Sequence, residues 1–300
     1  MDFRQLEIFL AVVETGSFSR AGKRLFASQP TVTMQMKALE EELAQQLLER
    51  STHGVKVTPA GKRVYDYAVA TLRKRDNLLE EFGRSGPEAA VVAIAASTVP
   101  AQYLLPQLIA AFRKIHPTVR FRLLFCNSAE VGKKLLESTA EVGLCGSSAF
   151  YSECDYRPIL KDRLLVIAPN DGRYDALDKN APFPESLLLT EPLITRESGS
   201  GTRREFETWL KKRTGRTELN IVAIMNSYQS IKNAVVAGMG IAVMSERAAA
   251  DYIKNGYVLT FPLEGTAERD LYLVHRKKTK LLGLVGEFYD FVLNTALKLR

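Results

Sequence analysis

Cysteine is scarce in this 300-residue chain: Cys126, Cys145 and Cys154 are the full complement. Three irregularly spaced thiols with no C-x-x-C pair exclude a disulfide framework, and they read as buried thiols. Long apolar runs are missing too: nothing approaches the roughly 20 consecutive residues that span a bilayer. The first residues, Met1 to Gln5, lack the basic and then apolar regions of an export signal, so the expected location is the cytoplasm. The three histidines, His53, His116 and His275, are isolated. No Ser/His/Asp, Cys/His or paired-carboxylate constellation has workable spacing. Gly199-Ser200-Gly201-Thr202 lacks the spacing and lysine of a phosphate-binding P-loop, and Gly238-Met239-Gly240 reads as a turn. No metal, cofactor or enzyme activity is therefore expected.

What is present is ordinary for a folded protein. Hydrophobic residues make up 46% and charged residues 25%, too apolar for general disorder. The length exceeds one typical domain, so a small module joined to a larger one is the natural expectation. The net charge of +7 suits a polyanionic partner. Residues 1–63, however, carry nine Lys/Arg against seven Asp/Glu, a balance of only +2. If this end binds nucleic acid, it does so by the placement of its groups.

The stretch Ser17–Leu43 shows that placement. Val32, Met36, Leu39 and Leu43 are spaced as the apolar stripe of a helix running from Gln29 to about Glu42. Pro30 falls in its first turn, where the missing N–H is harmless. Phe18, Ala21 and Leu25 form a second stripe, with Ser17 placed to cap it. Ala21 and Gly22 allow a close crossing, and Leu6, Phe9, Leu10 and Val13 supply a covering helix. Two short helices across a tight turn form a helix-turn-helix. An ordinary helical hairpin with a solvated face is the alternative on this pattern alone. The outward face of the second helix begins at Ser28 and carries Gln29, Pro30, Thr31, Thr33, Met34 and Lys37, with no acid before Glu40. Gln29, Thr31 and Thr33 are candidates for base edges or phosphates, and Lys37 for a phosphate. Downstream, Gly54 permits a hairpin between Arg50-Ser51 and Val55-Lys56-Val57. This reads as a wing from which Arg50 and Lys56 reach the DNA backbone or minor groove. His53 at its tip reads as solvated. Thr58 and Pro59 then start a new helix.

At these residues the chain resembles the LysR-type transcriptional regulators. The carrying elements are "LEIFLAVVETGSFSRAGKRLFASQPTVTMQMKALEEEL", "LLERSTHGVKVTPAGKRVY", "EVGLCG" and "RESGSGTRREFE", and the resemblance spans essentially the whole chain. It implies a winged helix-turn-helix, a dimerising linker helix, a two-lobed effector domain and a homotetramer built as a dimer of dimers. "ASTVPAQYLLPQL" and "SGSGTRREFE" resemble the branch associated with sulfur or selenium metabolism. Ala44 departs from a glycine common in the family and Leu48 from a phenylalanine, both conservative in packing. Met34 stands where a polar residue is frequent, leaving apolar contact, such as a thymine methyl, in place of a hydrogen bond.

From Pro59 to about Phe82, Val64, Ala68, Leu72, Leu79 and Phe82 form a stripe interrupted by Arg75. A paired copy in a second subunit is the expected cover, with packing on the chain itself as the alternative. Ser85-Gly86-Pro87 marks a hinge. Beyond it, strand-like runs alternate with helices in two series, "AVVAIAA" through "EVGLC" and "RLLVIAP" through "GIAVMS", which imply parallel sheets in two α/β lobes. "RDLYLVHR" and a helix over about 281–297 close the chain. The expected domains are a DNA-binding module over 1–58, a linker over 59–87 and an effector domain over 88–300. By the resemblance, lobe one is 88–163 with 264–300 and lobe two is 164–263, a pair similar to periplasmic solute-binding proteins. The overall class is α/β.

Ligands of open α/β sheets settle at the carboxyl ends of the strands. The residues there are Ser97-Thr98, Asn127-Ser128, Gly146-Ser147-Ser148 and Arg196 through Thr202, including Ser200 and Gly201, with Asn226 after "IVAIM". Capping alone accounts for any single one of them. Their convergence ahead of helix N-termini suits a small anion or carboxylate. The expected function is therefore a sequence-specific, DNA-binding regulator controlled by a small effector between the lobes. The alternatives are a small-molecule-binding protein or enzyme using that cleft, or a purely structural DNA-binding protein.

Overall fold

A computed structural model describes residues 1–51, 54–81, 91–148, 150–215, 218–265 and 267–297. His53, Phe82, the Ser85–Pro87 hinge and the side chain of Arg50 lie outside what it describes. The chain divides into two compact units, one of residues 1–88 with 137–139 and the other of residues 89–136 with 140–300.

The first unit opens with α1 (Phe3–Thr15), started by a reciprocal cap in which Gln5 N–H donates to Asp2 (2.8 Å) and Asp2 N–H to Gln5 (2.9 Å). Gly16 at φ +64° ends it, a left-handed position that favours glycine. Ser17 caps α2 (Phe18–Arg24) and Ser28 caps α3 (Gln29–Leu43), accepting from the N–H of Arg20 (3.4 Å) and Thr31 (3.3 Å) respectively. A Cβ on Gly22 would stand 2.6 Å from the Ala27 carbonyl oxygen, so the turn between the two helices closes only over glycine. Leu6, Phe9, Val12, Ala21, Val32, Met36 and Leu39 are buried together; full burial of a leucine-sized side chain contributes about 1.5–3 kcal/mol.

Strands β1 (Leu48–Ser51) and β2 (Gly54–Val57) pair antiparallel, with Glu49 opposite Lys56 and Arg50 opposite Val55. Glu40 of α3 accepts from the N–H of Leu47 (2.7 Å) and Leu48 (3.1 Å) and so fixes this wing against α3. Thr58 accepts from Gly61 N–H (2.9 Å) to start α4 (Pro59–Glu81). The α4 stripe departs from expectation. Ala68 and Leu72 are buried in the unit's own core, with Val64 packed against it, so they are not free for a second subunit. The reason is α1, whose apolar face needs a cover within the unit. Past that point Arg75 pairs with Glu7 (2.7 Å) and lies over the Phe3 ring, while Leu78 and Leu79 are exposed.

In the second unit, β3 (Val91–Ser97), a π-helical turn (Pro100–Leu104), α5 (Leu105–Ile115), β4 (Arg120–Cys126), α6 (Ser128–Leu136) and β5 (Val142–Cys145) follow the expected alternation. The next strand, β6 (Cys154–Pro169), is far longer than the apolar run that announced it. After it come α7 (Glu185–Thr190), β7 (Leu193–Arg196), α8 (Gly201–Thr214), β8 (Ile221–Met225), α9 (Tyr228–Val236), β9 (Ile241–Ser245), α10 (Glu246–Lys254), β10 (Val258–Pro262), β11 (Glu268–Arg276) and α11 (Gly283–Leu297).

The strands run in the order β4-β3-β5-β11-β6-β9-β7-β8, with β10 also on β6. The β3–β4, β3–β5, β7–β8 and β7–β9 pairs are parallel, whereas β6 and β11 run antiparallel to their neighbours. The expected parallel sheets are thus mixed, because β11 returns from the far end of the chain between β5 and β6. One half of β6, up to Arg163, pairs with β11; the other, from Leu164, pairs with β9 and β10. A single strand therefore carries both lobes. A buried cluster at their junction holds it: Asp162, fully enclosed, accepts from Ser245 Oγ (2.6 Å) and from Arg269 (2.9 Å).

Candidate functional site

Two regions of the molecule present functional groups. In the first unit, the buried stripe of α3 orients the opposite face outward: Ser28, Gln29, Pro30, Thr31, Met34 and Lys37 are exposed and Thr33 half-buried. Met34 is 61% exposed, as its outward position requires. Free-state partners keep the polar groups ordered. Thr33 Oγ1 donates to the Gln29 carbonyl (3.0 Å), the Ser28 and Thr31 hydroxyls are 2.8 Å apart, and Lys37 pairs with Glu41 at 3.5 Å. Each hydroxyl keeps acceptor capacity for a second bond. The Lys37 pair, between exposed groups, is weak enough to yield to a phosphate. Lys56 is exposed on the wing.

Sequence reasoning missed Phe26, which is fully exposed at φ +52° in the turn just ahead of α3. No sequence signal marks it, since backbone angles of this kind are set by the closed turn. Ala44 at φ +48° ends α3, so its departure from the family's glycine is not conservative: a side chain there is strained.

In the second unit the carboxyl ends of the strands enclose a two-part cleft. The inner recess is walled by Ser97, Thr98, Asn127, Ser128, Arg196, Ser200, Gly201 and Thr202, with Val99, Tyr228 and Arg269. It holds about 10 Å³, the scale of one water molecule. The outer compartment, about 520 Å³, is lined by Thr98, Asn127, Arg196 and Asn226 together with Gln102, Tyr103, Phe125, Cys126, Glu130, Glu197, Ser227, Tyr228 and Gln229. That volume is of the size that takes a small metabolite. The first residues of α6, α8 and α9 all reach these walls and turn positive dipole ends toward one space.

Three of the expected residues do not line the cleft. Ser147 is buried behind it, Ser148 is exposed elsewhere, and Gly146 forms backing. A Cβ on Gly146 would meet the Arg269 guanidinium at 2.8 Å, and one on Gly201 would meet Ser128 Oγ at 2.6 Å. The loops after β4, β5 and β7 are packed so closely that glycine is needed there.

Arg196 is the cation at the junction of recess and compartment. It is 4% exposed, donates to Glu197 through Nε (2.8 Å) and Nη2 (3.0 Å), and reaches Thr98 Oγ1 at 3.2 Å. Its guanidinium lies 4.5 Å from the centre of the Tyr228 ring. Burial acts against its charge, but the Glu197 carboxylate and Tyr228 raise its pKa above the ordinary value. Arg269 was missed because it arrives from a distant chain position, and Tyr228, two residues after Asn226, because an aromatic at the start of a helix reads as core. Glu197 falls inside the Arg196–Thr202 stretch but was given no role of its own, because a lone acid beside an arginine carries no signal. Burial pushes the Cys145 thiol, packed in the core, and the Cys126 thiol, half-buried in the compartment wall rather than buried as expected, up to about 12, which keeps both in the unreactive protonated form. Among the described residues no group of acids, histidines and cysteines could hold a metal, and no helix is long and apolar enough to cross a membrane.

Two family models match: the bacterial regulatory helix-turn-helix protein of the lysR family over residues 3–62 and the LysR substrate binding domain over residues 85–296. The RuBisCO operon transcriptional regulator of Allochromatium vinosum is 31% identical over 303 residues, covering 100% of this chain and 98% of that protein. Full-length CbnR complexed with its target DNA shares the fold at a TM-score of 0.70 and 22% identity, over 99% of this chain and 100% of that one. The Synechocystis CcmR regulatory domain in complex with 2-PG matches at a TM-score of 0.62 and 22% identity, over 69% of this chain and 97% of that one. The chain belongs to the LysR family: it is a DNA-binding transcriptional regulator with an N-terminal helix-turn-helix and an effector-binding domain.

Proposed function

We propose that α3 reads an operator in the major groove through Gln29, Thr31, Thr33 and Met34, with Ser28 and Pro30 at its tip. Lys37, and Arg50 and Lys56 of the wing, contact phosphate. The observation that carries this reading is the face of α3: exposed, uncharged up to Lys37 and backed by Val32, Met36 and Leu39, each at most 2% exposed. That CbnR, which shares this fold, has been solved in complex with its target DNA supports DNA binding by the chain. Residues 1–58 serve as the DNA module, 59–87 as the linker and 88–300 as the effector domain. The protein works in the cytoplasm as a dimer or dimer of dimers, for which exposed Leu78 and Leu79 offer an apolar contact. The effector is a small anion seated in the outer compartment at Thr98, Asn127, Arg196 and Asn226; that the CcmR regulatory domain, which shares this fold, forms a complex with 2-PG supports an anionic ligand. Its binding shifts lobe closure and through it the spacing of paired DNA modules.

The roles on α3 are tested on an operator selected by the full-length protein from random duplexes. Thr33→Ala lowers affinity selectively for that operator, whereas Lys37→Ala weakens all sequences and reduces the salt slope by about 1. Equal losses on operator and random DNA for both variants refute the assignment. For the effector, thermal shifts with 2-PG, sulfate, selenite and acylated serines separate the ligand classes, and a flat response to every one of them at millimolar concentration refutes the anion reading.

A further inference from the structure

The cleft's anion receptor is already occupied by the chain's own carboxylate. Nε and Nη2 of Arg196 grip the two oxygens of Glu197 at 2.8 and 3.0 Å. This two-pronged geometry is the one an arginine offers to a ligand carboxylate or phosphate. We propose that Glu197 is a resident competitor, and that the effector is a carboxylate- or phosphate-bearing molecule that takes the Arg196 fork by displacing it. This inference rests on the cleft being the effector site.

Several features separate this pair from the other charges nearby. Arg269 is held by Asp162, which is wholly enclosed in the scaffold and has no route out. Glu130, the other acid of the compartment, is committed to the start of α6, accepting from Asn127 N–H at 3.1 Å. Among the described residues, the Glu197 carboxylate bonds only to Arg196. Its side chain is 25% exposed and lines the outer compartment, so a rotation carries it toward solvent. Gly199, two residues on at φ +88°, lies within a Cβ's reach of Asn127. The Arg196 fork itself stays in place without Glu197, because Thr98 and the Tyr228 ring hold it independently. With Glu197 engaged the pair is neutral; with Glu197 swung away, a buried positive charge faces the cavity. An uncharged ligand cannot repay that exchange, so the device also selects for anions.

Calorimetric titration of the full-length protein with inorganic phosphate tests the proposal. Glu197→Gln keeps the shape and removes the charge, and Glu197→Ala removes the competitor. Both are expected to bind phosphate at least about tenfold more tightly than the unaltered chain, a neutral or missing group competing far less well for the fork. Adding Arg196→Gln to either should abolish the gain. If the unaltered chain binds phosphate through Arg196 and the Glu197 variants bind no tighter, the competitor role is overturned and the anion cleft stands. If phosphate binds to none of the proteins, or binds equally with Arg196→Gln, the anion cleft reading falls and takes the competitor with it. Thermal melts of Glu197→Gln matching those of the unaltered chain make these comparisons free of unfolding.

Discussion

Replacing Asp162 by alanine probes what holds the two lobes on their shared strand. Its carboxylate is 0% exposed and Arg269 opposite it 3% exposed, so neither charge has water to fall back on. In Asp162→Ala the guanidinium of Arg269 loses both of its bonds to Oδ2, and Ser245 Oγ loses its 2.6 Å acceptor. Breaking a buried pair by removing one partner costs about 3–5 kcal/mol, because the remaining charge is left uncompensated. Against a typical total of roughly 5–15 kcal/mol, the loss should be conspicuous. Trp209, the single tryptophan, packs beside Phe206 in α8, so its fluorescence in a urea titration follows this unit without interference from the first. Arg269→Ala should cost a similar amount, and the double variant clearly less than the sum, since no charge is then stranded. Each single variant costing under about 1 kcal/mol, or strict additivity in the double, would refute the account of a mutually dependent buried pair.

The left-handed positions of the first unit give predictions of opposite sign. Phe26→Asn should raise stability by about 1 kcal/mol, because asparagine tolerates φ +52° and a fully exposed ring has no packing to lose. Ala44→Gly should raise it by about 0.5–1 kcal/mol once glycine's entropy is deducted. Chemical denaturation followed by circular dichroism measures both, and a loss in either variant contradicts the strain. Gly201→Ala should destabilise the second unit by about 1–3 kcal/mol and open the inner recess, because its Cβ would overlap Ser128 Oγ and the Gly146 backbone; an unchanged melting temperature would contradict that. Cys126 and Cys145, with pKa values near 12, should react slowly with a disulfide reagent at pH 8, where only about one thiol in ten thousand is ionised. Both should become reactive in denaturant. Because only the unfolded chain ionises them near the ordinary thiol value, the stability they contribute is complete below that value and is lost as pH rises toward 12. Rapid labelling of the folded chain at pH 8 would refute this.

Local features of the chain were legible without coordinates. Ser17, Ser28 and Thr58 cap the helices they precede, because a cap is a contract between residues two or three positions apart. Val32, Met36 and Leu39 point inward and Met34 outward, because helical periodicity alone fixes their angles. Most strands of the second unit lie where the β-branched runs stood, but the first half of β6, Cys154 to Asp162, was invisible. Its irregular mixture of charged and apolar residues has meaning only beside β11, more than 100 residues away in sequence.

Tertiary structure decided the rest. The alignment of Arg269 with Asp162 spans 107 positions. Ser147 and Ser148, polar and well placed after β5, fell outside the cleft because the close packing around Gly146 and Gly201 turned that loop away from it. The α4 stripe read as a partner face, yet α1 claimed its first half. Glu197 acquired its interest only when Thr98 and Tyr228 fixed the arginine beside it. Spacing along the chain encodes short-range bonds and the face of an element; which faces meet, and which charges are stranded when they do, is settled by packing distant segments into one volume.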